Sequence, residues 1–348
     1  MNNEKMTSME RVLAALEHKE ADRVPFFLML SLQGARELNL SIKEYFSRPE
    51  YVFEGQMLLR EKYRDDCLFG FYYGPIETEA WGGDVVFRED GPPNSGAPFI
   101  TSPADIDRLT PPAPEDAPCL QRVLRTIEML KKEAGDTVPI IGVAISPFSL
   151  PVMQLGFGPY LDLIHNDQAR FEQLMEVNKR FCLQWANAQL EAGAASICYF
   201  DPVSSPTIIP PELYRETGFL IARETIAQIT GLTAIHLASG ISLPIASELA
   251  ETGTALLGVS AEEDLADLKE AFRNKLTLAG NLNGIEMRHW TAAQTRDRVI
   301  EAINKAGPGG GFILSDNHGE IPWQVSEEIV MTISETVREY GRYPLEKE

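Results

Sequence analysis

Cysteine is scarce in this sequence, and what there is does not cluster. The 348 residues hold four, Cys67, Cys119, Cys182 and Cys198, with no CxxC pair among them. That spacing gives no disulfide framework, and it points to a reducing compartment. No run of 18 apolar residues occurs, so no membrane-spanning helix is expected. Met1 to Glu17 carries Glu4, Glu10 and Glu17 and lacks the apolar stretch of an export signal, which makes the cytoplasm the expected location. Positive charge is short as well. There are 31 Lys and Arg against 51 Asp and Glu, a net charge of −20. Affinity for nucleic acid comes largely from cations that neutralise phosphates, so that partner class is excluded, and steering of a polyanionic substrate is disfavoured. Histidine is almost as rare as cysteine, at five, so the place of each one carries information.

What is present is a regular alternation. Thr7 and Glu10 have capping-box spacing ahead of Val12, Leu13 and Leu16, which predicts an N-terminal amphipathic helix over 7–20. Eight short β-rich apolar segments follow: Val24–Leu30, Cys67–Tyr73, Val138–Ile145, Ala195–Phe200, Thr233–Leu237, Thr254–Val259, Leu276–Ala279 and Gly311–Leu314. Helical patterns lie between them, such as Leu120–Glu133, Ala169–Ala192, Pro211–Ile229 and Thr291–Ala306. Strands alternating with helices build βαβ units on a parallel sheet, and eight strands is the count of a (β/α)8 TIM barrel. The expected fold is therefore α/β, a single barrel domain over 1–348. An open doubly wound sheet is the alternative, but no GxGxxG follows the first segment. The Gly309-Gly310-Gly311 run precedes a strand and reads as a flexible turn. Gly91–Pro118 holds eight prolines with little periodicity and is expected to be a long loop, an active-site wall or a covering segment.

In such a barrel the carboxyl ends of the strands face the site. The fifth segment ends Ile235-His236-Leu237-Ala238, where alternation turns His236 inward. The sixth continues through Gly258, Ser260 and Glu262 on one side, and the eighth ends Ser315-Asp316-Asn317-His318. The fourth ends in Tyr199-Phe200-Asp201, the seventh in Gly280-Asn281. His18, His165 and His289 fall on helices or their ends. Two imidazoles and one carboxylate at neighbouring strand ends make a candidate zinc set of His236, Glu262 and His318, with a fourth position open. Glu263 is the alternative carboxylate, one residue on. In the other reading Glu262 bonds a helix N-terminus while His236 and His318 act as acid and base. Asp201, Asp316 and Asn281 are candidates to orient the substrate or, for the acids, to handle a proton. Phe26, Tyr73 and Tyr199 are candidate walls for an aromatic ring, although residues of these types are equally at home in a barrel core.

Several stretches, in order, resemble the uroporphyrinogen decarboxylase-like superfamily and within it the corrinoid-dependent methyltransferase branch. They are Asp22-Arg23-Val24-Pro25, Asp201-Pro202-Val203-Ser204-Ser205-Pro206, Ile209-Pro210-Pro211-Glu212-Leu213-Tyr214, His236-Leu237-Ala238-Ser239-Gly240, Gly280-Asn281-Leu282-Asn283 and Gly311-Phe312-Ile313-Leu314-Ser315. The resemblance implies a zinc site with a His-x-Cys pair on the fifth strand and a Cys on the eighth. His236 matches the His, and Glu262 matches a Glu used by the related cobalamin-independent methionine synthases. Ala238 and His318 stand where the two thiolates belong. The decarboxylases carry an arginine-rich stretch after the first strand, and here Met29–Arg36 holds only Arg36.

Thiolates suit activation of a thiol. Imidazoles with a carboxylate leave zinc a stronger Lewis acid, which helps most when an oxygen must leave. The resemblance thus implies demethylation of a small methoxylated, aromatic compound, with the methyl group passed to a corrinoid (cobalamin) on a separate protein. Asp316-Asn317-His318 opens the Asp-x-His-x-x-Gly pattern of a corrinoid-holding module, but Ile321 stands at the glycine. Methyl transfer to a thiol such as coenzyme M, a metal-free barrel lyase using the two histidines, and a binding barrel without turnover are the competing readings. A second copy of the chain is a further candidate partner.

Overall fold

The computed structural model describes residues 5–345. Met1 to Glu4, part of the stretch read above for an export signal, lie outside the described residues. Among the described residues no helix is long and apolar enough to cross a membrane.

Among the described residues nine strands form: β1 Leu68–Phe69, β2 Val85–Val86, β3 Asn94–Ser95, β4 Ile140–Ile145, β5 Ser196–Phe200, β6 Leu232–His236, β7 Leu256–Gly258, β8 Thr277–Leu282 and β9 Phe312–Asp316. Seven of them make one curled sheet in the order β1-β4-β5-β6-β7-β8-β9, parallel throughout. Each matches one of the expected segments from the second to the eighth. The first expected segment, Val24–Leu30, is not a strand. It meets β9 through a single bridge, Phe26 to Leu314, with Phe27 N donating to Leu314 O and Leu314 N to Pro25 O, both at 2.9 Å. On its other side Asp66 N donates to Phe26 O at 2.9 Å. The reason is where its backbone groups go. Pro25 has no N–H to give. Met29 N donates to the Asp316 carboxylate and Leu30 N to Leu28 O, so no ladder can run on.

The N-terminal helix, Ser8–Leu16, carries the expected capping box, with Thr7 and Glu10 bonded reciprocally. The proline-rich stretch is more ordered than a loop. It contributes β3, which pairs antiparallel with β2, a short helix Pro103–Ile106 capped by Ser102 and Asp105, and a 3-10 turn at Pro114–Asp116. Ile100 and Ile106 are buried beneath it. The helix expected over 211–229 divides into Pro211–Glu216 and Gly218–Ile226, because Thr217 leaves the helical region.

Alternation along the strands sorts the core in two. Val24, Phe26, Leu28, Ile197, Tyr199, Ile235, Leu257 and Leu314 belong to the large outer cluster packed under the helices. Phe27, Met29, Phe69, Phe71, Val143, Cys198 and Phe200 form a separate cluster on the concave face. Below them the helix Ser8–Leu16 plugs the amino-terminal end with Val12, Ala15 and Leu16. Here Ser196, Ala234 and Ala279 are small, and a cavity of 90 Å³ remains between the helical plug and His236. At about 24 cal/mol per Å³ an empty void of that size costs roughly 2 kcal/mol. Ala279→Val is expected to recover about 1 kcal/mol of it by burying two methyl groups. The measurement is a denaturant midpoint at unchanged slope, and a lower midpoint would mean the space is not there to fill.

Candidate functional site

His236 closes β6 and stands opposite Gly258 of β7 in the parallel register. It is 4% exposed. Its Nδ1 accepts the backbone N–H of Ala238 at 2.9 Å, and its Nε2 is buried with no hydrogen-bond partner. Burial, helped by the nearby charge of His318, pushes its pKa down to about 4, so the ring is neutral at pH 7. Glycine at 258 is what admits the ring. A Cβ there would sit 2.5 Å from Cδ2 of the imidazole. Phe200 lies tilted against the same ring at 5.7 Å.

His318 shares this mouth but is exposed, with Nδ1 3.1 Å from Ser239 Oγ on the β6 side. Asp316 brings it there. One carboxylate oxygen accepts Met29 N at 3.2 Å, the other accepts the N–H groups of His318 and Gly319 at 3.1 Å each. Asp316 is therefore a buried latch for the turn after β9, and burial raises its pKa against these hydrogen bonds. Asp201 is also a clamp. Its Oδ1 accepts the hydroxyls of Ser146 and Ser149 behind the sheet, and burial raises its pKa. Asn281 spends its amide on Ser260 O at 2.9 Å and Glu263 O at 3.0 Å.

Glu262 does not join the histidines. Ser260 Oγ accepts Glu262 N at 3.1 Å, which turns the chain and ends the alternation two residues early. Glu262 is left exposed in an outer cleft of 450 Å³ with Asn283, Trp290, Arg298 and Lys305. Glu263 is committed elsewhere, accepting Ser242 N, Ser242 Oγ and Leu243 N at 2.7–2.9 Å. Among the described residues no three His, Cys, Asp or Glu side chains are gathered closely enough to hold a metal ion. The donor set His236, Glu262 and His318 expected for zinc is thus not assembled, and the nitrogen chemistry of His236 disagrees with it as well.

The expected aromatic walls, Phe26, Tyr73 and Tyr199, are not the aromatics of the concave face. Phe26 and Tyr199 are fully buried in the outer cluster. Tyr73 is buried there too, with its hydroxyl on Glu79 at 2.6 Å. The concave face instead presents Phe27, Phe69, Phe71 and Phe200. Val24–Leu30 is apolar at every position, so its sequence gives no phase. Glu320 is outside the set expected from the sequence. Half-buried beside Asp316 and bonded to the Ser31 hydroxyl, it has its pKa raised by burial to about 7. Its signal is faint: one acidic residue two beyond His318. Arg36, the lone arginine after the first segment, is not open to a polyacid. Its guanidinium lies 4.0 Å over the Trp323 ring and donates to the carbonyls of Trp323 and Val325.

Comparison with known proteins places this fold. A solved structure titled a methyltransferase from Methanosarcina mazei superposes with a TM-score of 0.85 over 97% of this chain and 99% of that one, at 21% identity. A B12-independent methionine synthase from Shewanella sp. W3-18-1 superposes at 0.57 over 93% and 98%, at 13% identity. Among curated proteins, a methylcobamide:CoM methyltransferase of Methanosarcina barkeri is 27% identical over 80% of this chain and 83% of its own length. A uroporphyrinogen decarboxylase of Thioalkalivibrio sulfidiphilus is 23% identical over 94% and 96%. The model of the family described as uroporphyrinogen decarboxylase (URO-D) matches residues 7–340, and the chain belongs to that family.

Proposed function

We propose that this chain is a corrinoid-dependent methyltransferase that demethylates a small methoxylated aromatic compound and passes the methyl group to a corrinoid carried by a separate protein. Val24–Leu30 would serve as the eighth stave of the barrel, and the mouth above it as the active site. The observation that carries the reading is a buried imidazole with an unanswered Nε2 at the top of an apolar concave face. Such a pocket selects a ligand with one polar atom on an apolar body. The similarity to the methylcobamide:CoM methyltransferase supports methyl transfer as the class. The engagement of Arg36 argues against the decarboxylase reaction, whose porphyrin substrate bears many carboxylates.

The bound corrinoid would supply the nucleophile that accepts the methyl group. The chain's own part is to hold the ether with its oxygen at His236 and its ring against Phe27, Phe69, Phe71 and Phe200. Glu320, protonated below about pH 7, would give its proton to the departing oxygen. This predicts that kcat/KM falls as pH rises through about 7, and that Glu320→Gln removes that limb. A variant with the limb intact would take Glu320 out of the reaction.

The direct test mixes the purified chain with reduced free cobalamin and a simple methoxybenzoate. The expected products are methylcobalamin and the free phenol in equal amounts. Methylation of coenzyme M from methylcobalamin, without ether cleavage, would favour the thiol reading. Release of CO2 from uroporphyrinogen with no methyl transfer would overturn both.

A further inference from the structure

The hydrogen bond on His236 settles which of its nitrogens is protonated. Ala238 stands in the left-handed region with φ 51, at the turn that follows β6, and its N–H meets Nδ1 at 2.9 Å. A ring nitrogen that accepts an N–H has its lone pair aimed at that donor and carries no proton. The single proton of the neutral ring is then on Nε2. Nε2 is the buried atom with no partner. A zinc-bound imidazole has the reverse arrangement: one nitrogen gives its lone pair to the metal, and the other, protonated, donates to a carbonyl or carboxylate. Putting a metal on Nε2 here would force a proton onto Nδ1, directly against the Ala238 N–H. The ring has little room to escape by rotation, because Gly258 and Phe200 pack on it.

We propose that His236 works as a neutral hydrogen-bond donor and not as a zinc ligand, its Nε2–H meeting the ether oxygen of the substrate. The identity of that substrate rests on the methyl-transfer reading above. In the step, the bond between methyl carbon and oxygen breaks, its electron pair stays on the oxygen, and the methyl group goes to the corrinoid nucleophile. The oxygen departs as a phenolate, which takes the proton held on Glu320 and is released as the phenol. Its developing charge strengthens the bond from Nε2–H, and an apolar mouth makes that bond worth more than it is in water. The same geometry selects among methylated compounds. An ether oxygen becoming a phenolate is a strong acceptor, whereas a thioether sulfur is a weak one. The class of substrate that the donor favours is therefore the aryl ether over the thioether.

Three readouts on this chain test this. Nitrogen NMR of histidine-labelled protein, assigned by difference against His236→Gln, is expected to show the proton on Nε2. Untagged protein incubated with zinc and dialysed is expected to retain under about a tenth of an equivalent. His236→Gln keeps an N–H near the position of Nε2 and is expected to transfer methyl groups from methoxybenzoate to free cobalamin within about tenfold of the parent, while His236→Ala falls by about 10²–10³-fold. A proton on Nδ1, or one equivalent of zinc that both variants lose, would overturn the assignment. The first two readouts need no methyl transfer. A parent with Nε2 protonated, no zinc and no ether cleavage would sink the methyl-transfer reading and the ether with it, while the donor assignment would stand.

Discussion

Asp66→Ala is expected to destabilise the fold by about 3–5 kcal/mol, the usual cost of removing one partner from a buried ion-pair network. Asp66 is fully buried where the N-terminal helix, the first segment and β1 meet. Its carboxylate accepts Arg11 Nη1 at 2.6 Å, Arg23 Nη1 at 2.7 Å, Arg23 Nη2 at 3.0 Å, Ser8 Oγ at 2.9 Å and Phe26 N at 3.0 Å. Burial alone would raise its pKa, but the charges and hydrogen bonds of Arg23 and Arg11 outweigh it and hold the pKa below the ordinary 3.8. Removing the carboxylate takes two hydrogen bonds from Arg23 and one from Arg11, and both guanidiniums stay buried. It also removes the acceptor of Phe26 N, a tie between the turn before β1 and the segment that has no ladder of its own. The pH dependence gives an internal check. A depressed carboxylate pKa contributes stability above its unfolded value and loses it as pH falls through the folded one. The gap between parent and variant should therefore be full at pH 7 and close as the solution is acidified below 3.8. Urea unfolding at several pH values measures it. A gap under about 1 kcal/mol at pH 7 would mean the network is worth no more than a surface pair.

How far the sequence discloses this molecule depends on what kind of signal each residue sends. β4 to β9, with β2 and β3 set aside, are apolar runs flanked by helices, and periodicity finds them because burial acts on every residue of the run. Val24–Leu30 sends the same signal without being a strand, because hydrogen bonding is decided by Pro25 and by the Asp316 carboxylate 287 residues away from Met29. For the same reason the inward face of that segment is opposite to the one expected, with Phe27 in and Phe26 out. His236 is legible: a rare polar type at an inward position of a well-phased strand. His318 is legible as a neighbour of that mouth. Glu262 is not, since a serine turn of two residues undoes the alternation that placed it. Asp201, Asp316 and Asn281 are polar at strand ends for a structural reason, the satisfaction of loop hydroxyls and backbone groups, and sequence cannot separate that use from substrate binding. Glu320 is invisible because its altered pKa comes from its surroundings, which only the folded chain assembles.

Gly258→Ala is expected to reduce methyl transfer by about 100-fold while leaving the fold in place, a loss close to 2.7 kcal/mol in the barrier. The new methyl group would lie 2.5 Å from Cδ2, 2.9 Å from Cγ and 3.1 Å from Nε2 of His236. Those atoms belong to a rigid ring whose other edge is tied to Ala238 N, so relief requires the imidazole to swing and break that bond. Overpacking of this kind typically costs about 1–3 kcal/mol of stability, which a domain of this size absorbs. The effect on the reaction is larger than the effect on the fold because donor and acceptor must meet within a few tenths of an ångström to act on a developing charge. The comparison that isolates the cause is His236→Gln. If Gly258 matters only by making room for the ring, Gly258→Ala in the Gln background should add little to the loss already there, and the two substitutions should be strongly non-additive. Full additivity, or a Gly258→Ala variant within about threefold of the parent, would show that the packing of that glycine against His236 has no part in the chemistry.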